Sequence, residues 1–552
     1  MDIDIAVGVA FATGILLHVS LFRIGEWDLL AIWLMRAPFV LLAALGAALA
    51  WFRPAETVLQ SLKDASKLDA ALLGGVFTSM LVYRAFLHRL RVFPGPFAAR
   101  LSNLYMTGQS VKTMQAYRHF RRLHEHYGDF VRVGPMEISI AEPAAFRDIY
   151  ANYSPCEKGP LYSHGHPSTT VLEARSRKLH APKRKPWDRA FTTTALNNYE
   201  ERVDRHTDQL LRRIEEHQGS EFNVTRWFSF YTFDVMGELA FGKSFRQLED
   251  NAEHYMAKVA RETQRTIGGL LLYTAWIMNT FRETPILNWA WIAFQKWCNE
   301  QVDDRLANEP KVPDIFHWIS ADYRQTPNPT PQERLDLLAE IRLIVVAGSD
   351  TTSMTLTGLF YQLVQAPGVV AKLREEIDEL AAQDEHALTK NMSLVKLKYL
   401  QACIDESLRL TPVVPSRLQR MTPPEGAQIG SRWVPGNTCV IAPSWILCRD
   451  SRCFARPEEF IPERWTSQPE LVHDASVYAP FSVGRSSCAG KQLALMELRR
   501  TVALIVHRYD FALAPEQRID AFERDLEDHF TMCPPDFNLV FKRREAPPAR
   551  SG

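Results

Sequence analysis

The sequence predicts a mainly α-helical globular domain with small β-sheets, preceded by helices that enter a membrane. Three observations predict it. Apolar runs at 5–22, 29–52 and 71–88 crowd the first ninety residues. Helical patterning dominates the remainder, at 240–265, 331–366 and 491–507. Strand-like stretches are short and few, near 129–141 and 433–442.

The front region covers 1–92. Asp2 and Asp4 stand where a cleavable signal would be basic, and further apolar segments follow, so these runs do not read as a signal peptide. Three membrane spans are one reading. A single anchor with buried helices is the other, because Arg36 and Arg84 interrupt the second and third runs. The basic cluster Arg84, His88, Arg89 and Arg91 places everything downstream in the cytosol, although the second loop is also basic. Phe93-Pro94-Gly95-Pro96 cannot continue a helix and reads as a stiff hinge. A globular domain over 93–545 and a flexible tail over 546–552 complete the division.

Lys+Arg and Asp+Glu both total 64, so no basic footprint marks a nucleic-acid partner. The eight cysteines are scattered without a C-x-x-C pair, which argues against a disulfide framework and a structural zinc site.

The segment from Thr330 to Ala366 opens with an N-cap, a first-turn proline and a capping-box glutamate, Thr330-Pro331-Gln332-Glu333, and Pro367 ends it. A helix this long and apolar is buried through its centre. Asp350 is the one charged residue between Arg342 and Lys372, and it sits in Ala347-Gly348-Ser349-Asp350-Thr351-Thr352. An acid in an apolar core is costly unless hydrogen-bonded or functional. Gly348 permits close approach of another body, and mid-helix hydroxyls can bond back and open the helix locally. A satisfied polar cluster and a groove over a flat ligand both fit.

A cysteine framed by glycines, Phe481-Ser482-Val483-Gly484-Arg485-Ser486-Ser487-Cys488-Ala489-Gly490, precedes the 491–507 helix. The positive end of that helix and its free N–H groups favour a thiolate. Glu406 and Arg409 share one helical face at i,i+3.

With these segments in order, and with Phe460-Ile461-Pro462-Glu463-Arg464-Trp465 between the last two, the chain over 93–545 resembles a cytochrome P-450, a haem-thiolate monooxygenase, and its front end resembles fungal microsomal members. The resemblance implies haem b with Cys488 as the iron ligand. Gly484 and Gly490 would let the backbone fold under the porphyrin, with Phe481 shielding the sulfur. It implies proton delivery by Asp350 and Thr351, and a buried charge triad of Glu406, Arg409 and Arg464. His180, Arg184 and Arg420 match basic positions that hold haem propionates. The family's arginine two residues before the cysteine is replaced here by Ser486, so the role of Arg485 stays open. Electrons are implied to come from NADPH through a separate cytochrome P-450 reductase, with cytochrome b5 as a second donor, since no flavin or nicotinamide fingerprint follows a strand.

The implied setting is the endoplasmic reticulum membrane. The implied reaction inserts oxygen into a lipophilic terpenoid, alkaloid or polyketide of fungal secondary metabolism. Substrate contacts are implied at 155–175, 268–297, Ala347 and Thr411–Ser416, with Trp276, Trp289, Trp291 and Trp297 as an interfacial rim. Two alternatives remain at this point: a same-fold isomerase or dehydratase needing no external electrons, and a non-catalytic haem-binding membrane protein.

Overall fold

The front of the chain forms three helical rods, each long and apolar enough to cross a membrane: Ile3–Phe22, Asp28–Phe52 and Val58–Val92. The structure, a computed structural model, describes residues 3–545 apart from 272, 309–311 and 385, so the tail at 546–552 lies outside the described residues. The third rod corrects the expected 71–88 run, because it begins at Val58. Its first turns are polar yet helical, capped where the Gln60 N–H bonds the Thr57 hydroxyl at 3.2 Å and braced by Asp64 pairing with Arg53 and Lys67.

Glycines set the first and third rods together. A Cβ at Gly14 would lie 2.1 Å from the Leu72 carbonyl oxygen, and one at Gly75 would lie 2.1 Å from that of Phe11. Close backbone approach at small residues is how helices associate where lipid supplies no hydrophobic drive.

The expected hinge at 93–96 is instead part of the body. Phe93 is buried beside Phe130, and the Arg132 N–H bonds the Pro94 carbonyl at 2.7 Å. Gly95 lies so close to the Arg132 backbone that a Cβ there would meet its oxygen at 2.2 Å.

The body is helical with four small sheets among the described residues. The largest has five strands in the order Phe130–Gly134, Glu137–Ile140, Cys439–Ile441, Arg420–Met421, Glu157–Lys158. Its first two strands form the antiparallel hairpin expected at 129–141. The expected 433–442 strand divides in two. Arg432–Val434 pairs with Ala427–Ile429, and Cys439–Ile441 joins the large sheet.

The expected helix at 240–265 is also corrected. Val224–Phe241 ends at Gly242, whose left-handed φ of 70° lets its N–H close on the Glu238 carbonyl. A one-turn helix, Gln247–Asp250, follows, and the next longer helix starts at Tyr255.

The central helix, Pro331–Gln365, carries the expected capping box and is buried along most of its length. It packs against Val224–Phe241, Lys398–Leu410 and Lys491–Arg508, so three parts of the site meet on one rigid element. It stays α-helical through Thr351, whose hydroxyl donates to the Ala347 carbonyl at 2.9 Å. No local opening occurs. The body approaching Gly348 is protein: a Cβ there would meet the Met236 sulfur at 2.6 Å.

Candidate active site

The cysteine loop closes where the Cys488 N–H donates to the Phe481 carbonyl at 2.8 Å. Gly484 is needed for two reasons. Its φ is +71°, and a Cβ would meet the Tyr150 carbonyl oxygen at 2.6 Å. Gly490 differs: a Cβ there would touch nothing nearer than the Phe191 ring at 3.9 Å and the Cys488 sulfur at 4.0 Å. Glycine at 490 therefore keeps space free beside the sulfur.

Cys488 is exposed, whereas six of the other seven cysteines are buried and Cys533 is intermediate. Surrounding protein nevertheless pushes the Cys488 thiol up by desolvation. Opposing that rise are the backbone N–H groups of Gly490 and Lys491 and the guanidinium of Arg184. Burial raises Cys298, Cys453 and Cys533 to about 12, leaving them neutral thiols.

Beside this loop lies a basic cluster. His180 is buried and lowered to about 4, first by desolvation and then by Lys158, Arg184, Arg485 and Arg420. Arg184 donates to the Ser487 carbonyl next to Cys488. Arg485 donates to the Cys156 carbonyl, turning toward the same cluster. Arg420 stands 5.1 Å over the Tyr150 ring. Lys158 escaped the sequence reading. It is buried, bonds the Val171 and Leu172 carbonyls at 2.9 and 2.7 Å, and is lowered to about 7, by burial and then by Arg420. Five basic groups gathered by the cysteine loop could hold an anionic group, and the thiol, once ionised, a metal.

The central helix presents two faces here. Ala347 is the one exposed residue in the buried or half-buried stretch from Asp336 to Val364, and Thr351 follows one turn later. Asp350, on the adjoining face, lines a cavity of about 490 Å³ with Arg226, Glu253, Arg261, His529 and Asp536. Charged groups therefore reach the cavity alongside Phe230, Met354 and Met532, so Asp350 does not face the wholly apolar core expected of it. Burial raises its carboxyl to about 6, with Arg261 opposing and Glu253 reinforcing the rise. Arg261 and Glu253 are themselves ion-paired. A second cavity of about 320 Å³ shares Arg261, His529 and Cys533 and adds Arg265, Asp525 and Glu527. Titratable groups thus line both spaces, and Asp350 borders the first.

Glu406, Arg409 and Arg464 meet with no side-chain exposure. Arg409 bonds both Glu406 oxygens at 2.9 and 3.0 Å, and Arg464 adds a third contact at 2.8 Å. The Trp465 indole and the Ile461 N–H supply two more donors.

The tryptophan stretch divides. Trp289 is 63% exposed, near Ile286 at 85%, and Trp276 is 38% exposed. Trp297 instead packs edge-on to Phe241 at 5.6 Å, and it and Trp291 are half-buried against the core. The hairpin tip at Phe530 has a left-handed φ of 79° and packs with Leu161, Tyr162 and Leu172. That φ is an outlier for a bulky residue. It is held by Asp528, which bonds the Phe530 N–H at 3.1 Å and accepts from the Ser416 hydroxyl.

A family model described as Cytochrome P450 matches residues 94–541. A cytochrome P450 monooxygenase, FCK2, of Fusarium pseudograminearum is 43% identical over 540 residues, covering 97% of each chain. Tryprostatin B 6-hydroxylase of Aspergillus fumigatus is 36% identical over 536 residues, covering 96% of this chain and 95% of its own. The crystal structure of the cytochrome P450DA heme domain superposes with a TM-score of 0.66 at 18% identity, over 79% of this chain and 95% of that one.

Proposed function

Since the chain belongs to the cytochrome P450 family and is a monooxygenase of it, we propose that it inserts one oxygen atom of O2 into a lipophilic terpenoid, alkaloid or polyketide of fungal secondary metabolism. One relative is by name a tryprostatin B 6-hydroxylase, which supports a substrate of that general origin. The named relatives set aside the isomerase and the non-catalytic alternatives.

The observation that carries the reading is the exposed Cys488 at a helix start, alone of the described cysteines in its exposure, beside a basic cluster around buried His180. These residues fit haem b. Cys488 would hold the iron, and His180, Arg184, Arg420 and Arg485, with Lys158, would hold the propionates. When bound, the group supplies a thiolate-ligated redox iron that activates dioxygen. Phe481 and Gly484 shape the loop, and Gly490 leaves room beside the sulfur.

Asp350 takes protons from the polar cavity and passes them toward the Thr351 hydroxyl, one residue away on the adjoining face. Arg261, ion-paired with Glu253, opposes the rise that burial imposes on that carboxyl. The Glu406, Arg409 and Arg464 triad holds the fold together and takes no part in the reaction.

The front helices anchor the enzyme in the endoplasmic reticulum with the body facing the cytosol, where NADPH-dependent reductase, with cytochrome b5 as a second donor, supplies electrons. Sealed microsomes containing the chain and reductase, given NADPH, ¹⁸O₂ and a panel of such metabolites, test this. One ¹⁸O atom in product is expected, with loss of turnover when reductase is omitted or trypsin is added outside. Product without reductase, or turnover that survives trypsin, contradicts the reading.

A further inference from the structure

The connection between the first two membrane helices does not hang free. Glu26 accepts two hydrogen bonds from Arg175, at 2.6 and 2.7 Å, in a bidentate pair with side chains 39% and 27% exposed. Arg175 also donates to the Lys158 carbonyl at 3.1 Å and to the Ser163 hydroxyl at 3.2 Å. It therefore ties Glu26 to both ends of the segment that carries Leu161, Tyr162 and Leu172.

Two residues beyond Glu26, the Asp28 carbonyl accepts from the buried Asn279 amide at 2.9 Å, on the helix Ala275–Arg282. Arg282, at the end of that helix, donates back to the His164 carbonyl. The contacts close a ring, running from Glu26 to Arg175, through the 158–175 segment to His164, then through Arg282 and Asn279 to Asp28.

The rest of that segment is held from the body side. Thr169 N–H bonds Asp336 and Val171 N–H bonds Glu340, each at 2.8 Å, both acceptors on the central helix. The anchor supplies the contact at the outer end. Polar bridges from a membrane loop to two separate parts of the body exceed what a tether requires.

We propose that Glu26 is a positioning residue of the substrate site. Through Arg175 it fixes the 158–175 segment, so the membrane anchor forms part of the route by which lipophilic molecules reach the site. This rests on the haem-thiolate reading above, because the segment carries Lys158 and packs its apolar residues against the Phe530 hairpin tip.

The test uses the full-length holoenzyme in microsomes and 1-phenylimidazole, a small lipophilic ligand of haem iron followed by its Soret shift in stopped flow. Glu26→Arg and Arg175→Glu should each change the association rate by about fivefold, the upper range for a partly exposed pair, with the CO-bound spectrum per haem unchanged. The double reversal should return the rate to the native value. Single variants with native rates, or a double variant no better than the singles, would overturn the proposal. The double reversal also decides the matter if either single variant fails to fold. No spectral response in the native chain would overturn the haem-site reading itself, and this proposal with it.

Discussion

Glu406→Ala yields little or no haem-loaded enzyme in the expected result, because it strands two buried guanidinium groups at once. Glu406 accepts from Arg409, Arg464, Trp465 and the Ile461 backbone, with no side-chain exposure in the triad. Removing one partner of a buried ion pair costs about 3–5 kcal/mol, a large share of the roughly 5–15 kcal/mol that holds a domain folded. Arg409→Lys should fail in the same direction. Arg409 also donates to the Cys448, Pro457 and Glu459 carbonyls, at 2.7, 2.6 and 3.0 Å, and an ammonium cannot reproduce that planar fork. The check is haem per milligram of purified protein together with the denaturant midpoint. Native values for both would remove the triad from its structural role.

Asp350→Asn moves activity and stability in opposite directions. Loss of a positioned proton donor lowers turnover by about 10²-fold or more. Stability responds through linkage. The folded carboxyl, at about 6, lies above its ordinary value of 3.8. A raised folded value contributes stability that is fully present below the unfolded value and is lost as pH rises through the folded one. Ionised Asp350 is therefore a burden above pH 6, and asparagine relieves it by up to about 3 kcal/mol at pH 8. The advantage fades toward pH 4. Charged and titratable groups on the same cavity, Arg226, Glu253, Arg261, His529, Cys533 and Asp536, are unchanged by the substitution. Unfolding midpoints at pH 4.5 and 8, read beside turnover, check both halves. Thr351→Ala should lower product formed per NADPH consumed while consumption continues. A native turnover and product ratio in both variants would break the assignment of the relay.

The parts of the site that were legible in the sequence share one property: their chemistry is written in neighbouring residues. The cysteine loop, its following helix, the Glu406–Arg409 pair and the capping box at Thr330 each lie within a few turns of chain. Arg464 could be joined to Glu406 only through the family resemblance, and the structure brings them to 2.8 Å.

What escaped depends on long-range packing. Lys158 joins His180 and Arg420 through strand pairing and a segment folded over it. Arg261 and Glu253 reach the cavity of Asp350 from another helix and its preceding turn, so an acid with no charged sequence neighbours has charged neighbours in space. The Glu26–Arg175 pair spans membrane loop and body. Local errors have local causes too. Gly242 ends a helix that apolar patterning alone extends, and Asp64 with its partners makes a helix of a stretch too polar to count as a span. Gly348 announced a close approach correctly, but Met236 makes it.

The central claim is that Cys488 delivers a thiolate to haem iron. The reduced, CO-bound difference spectrum of membranes containing the native chain, beside a Cys488→Ala control, tests it most directly. A strongly red-shifted Soret band is expected in the native chain, and its loss in the control. A band typical of histidine-ligated haem, or an unaltered band in the control, would contradict it.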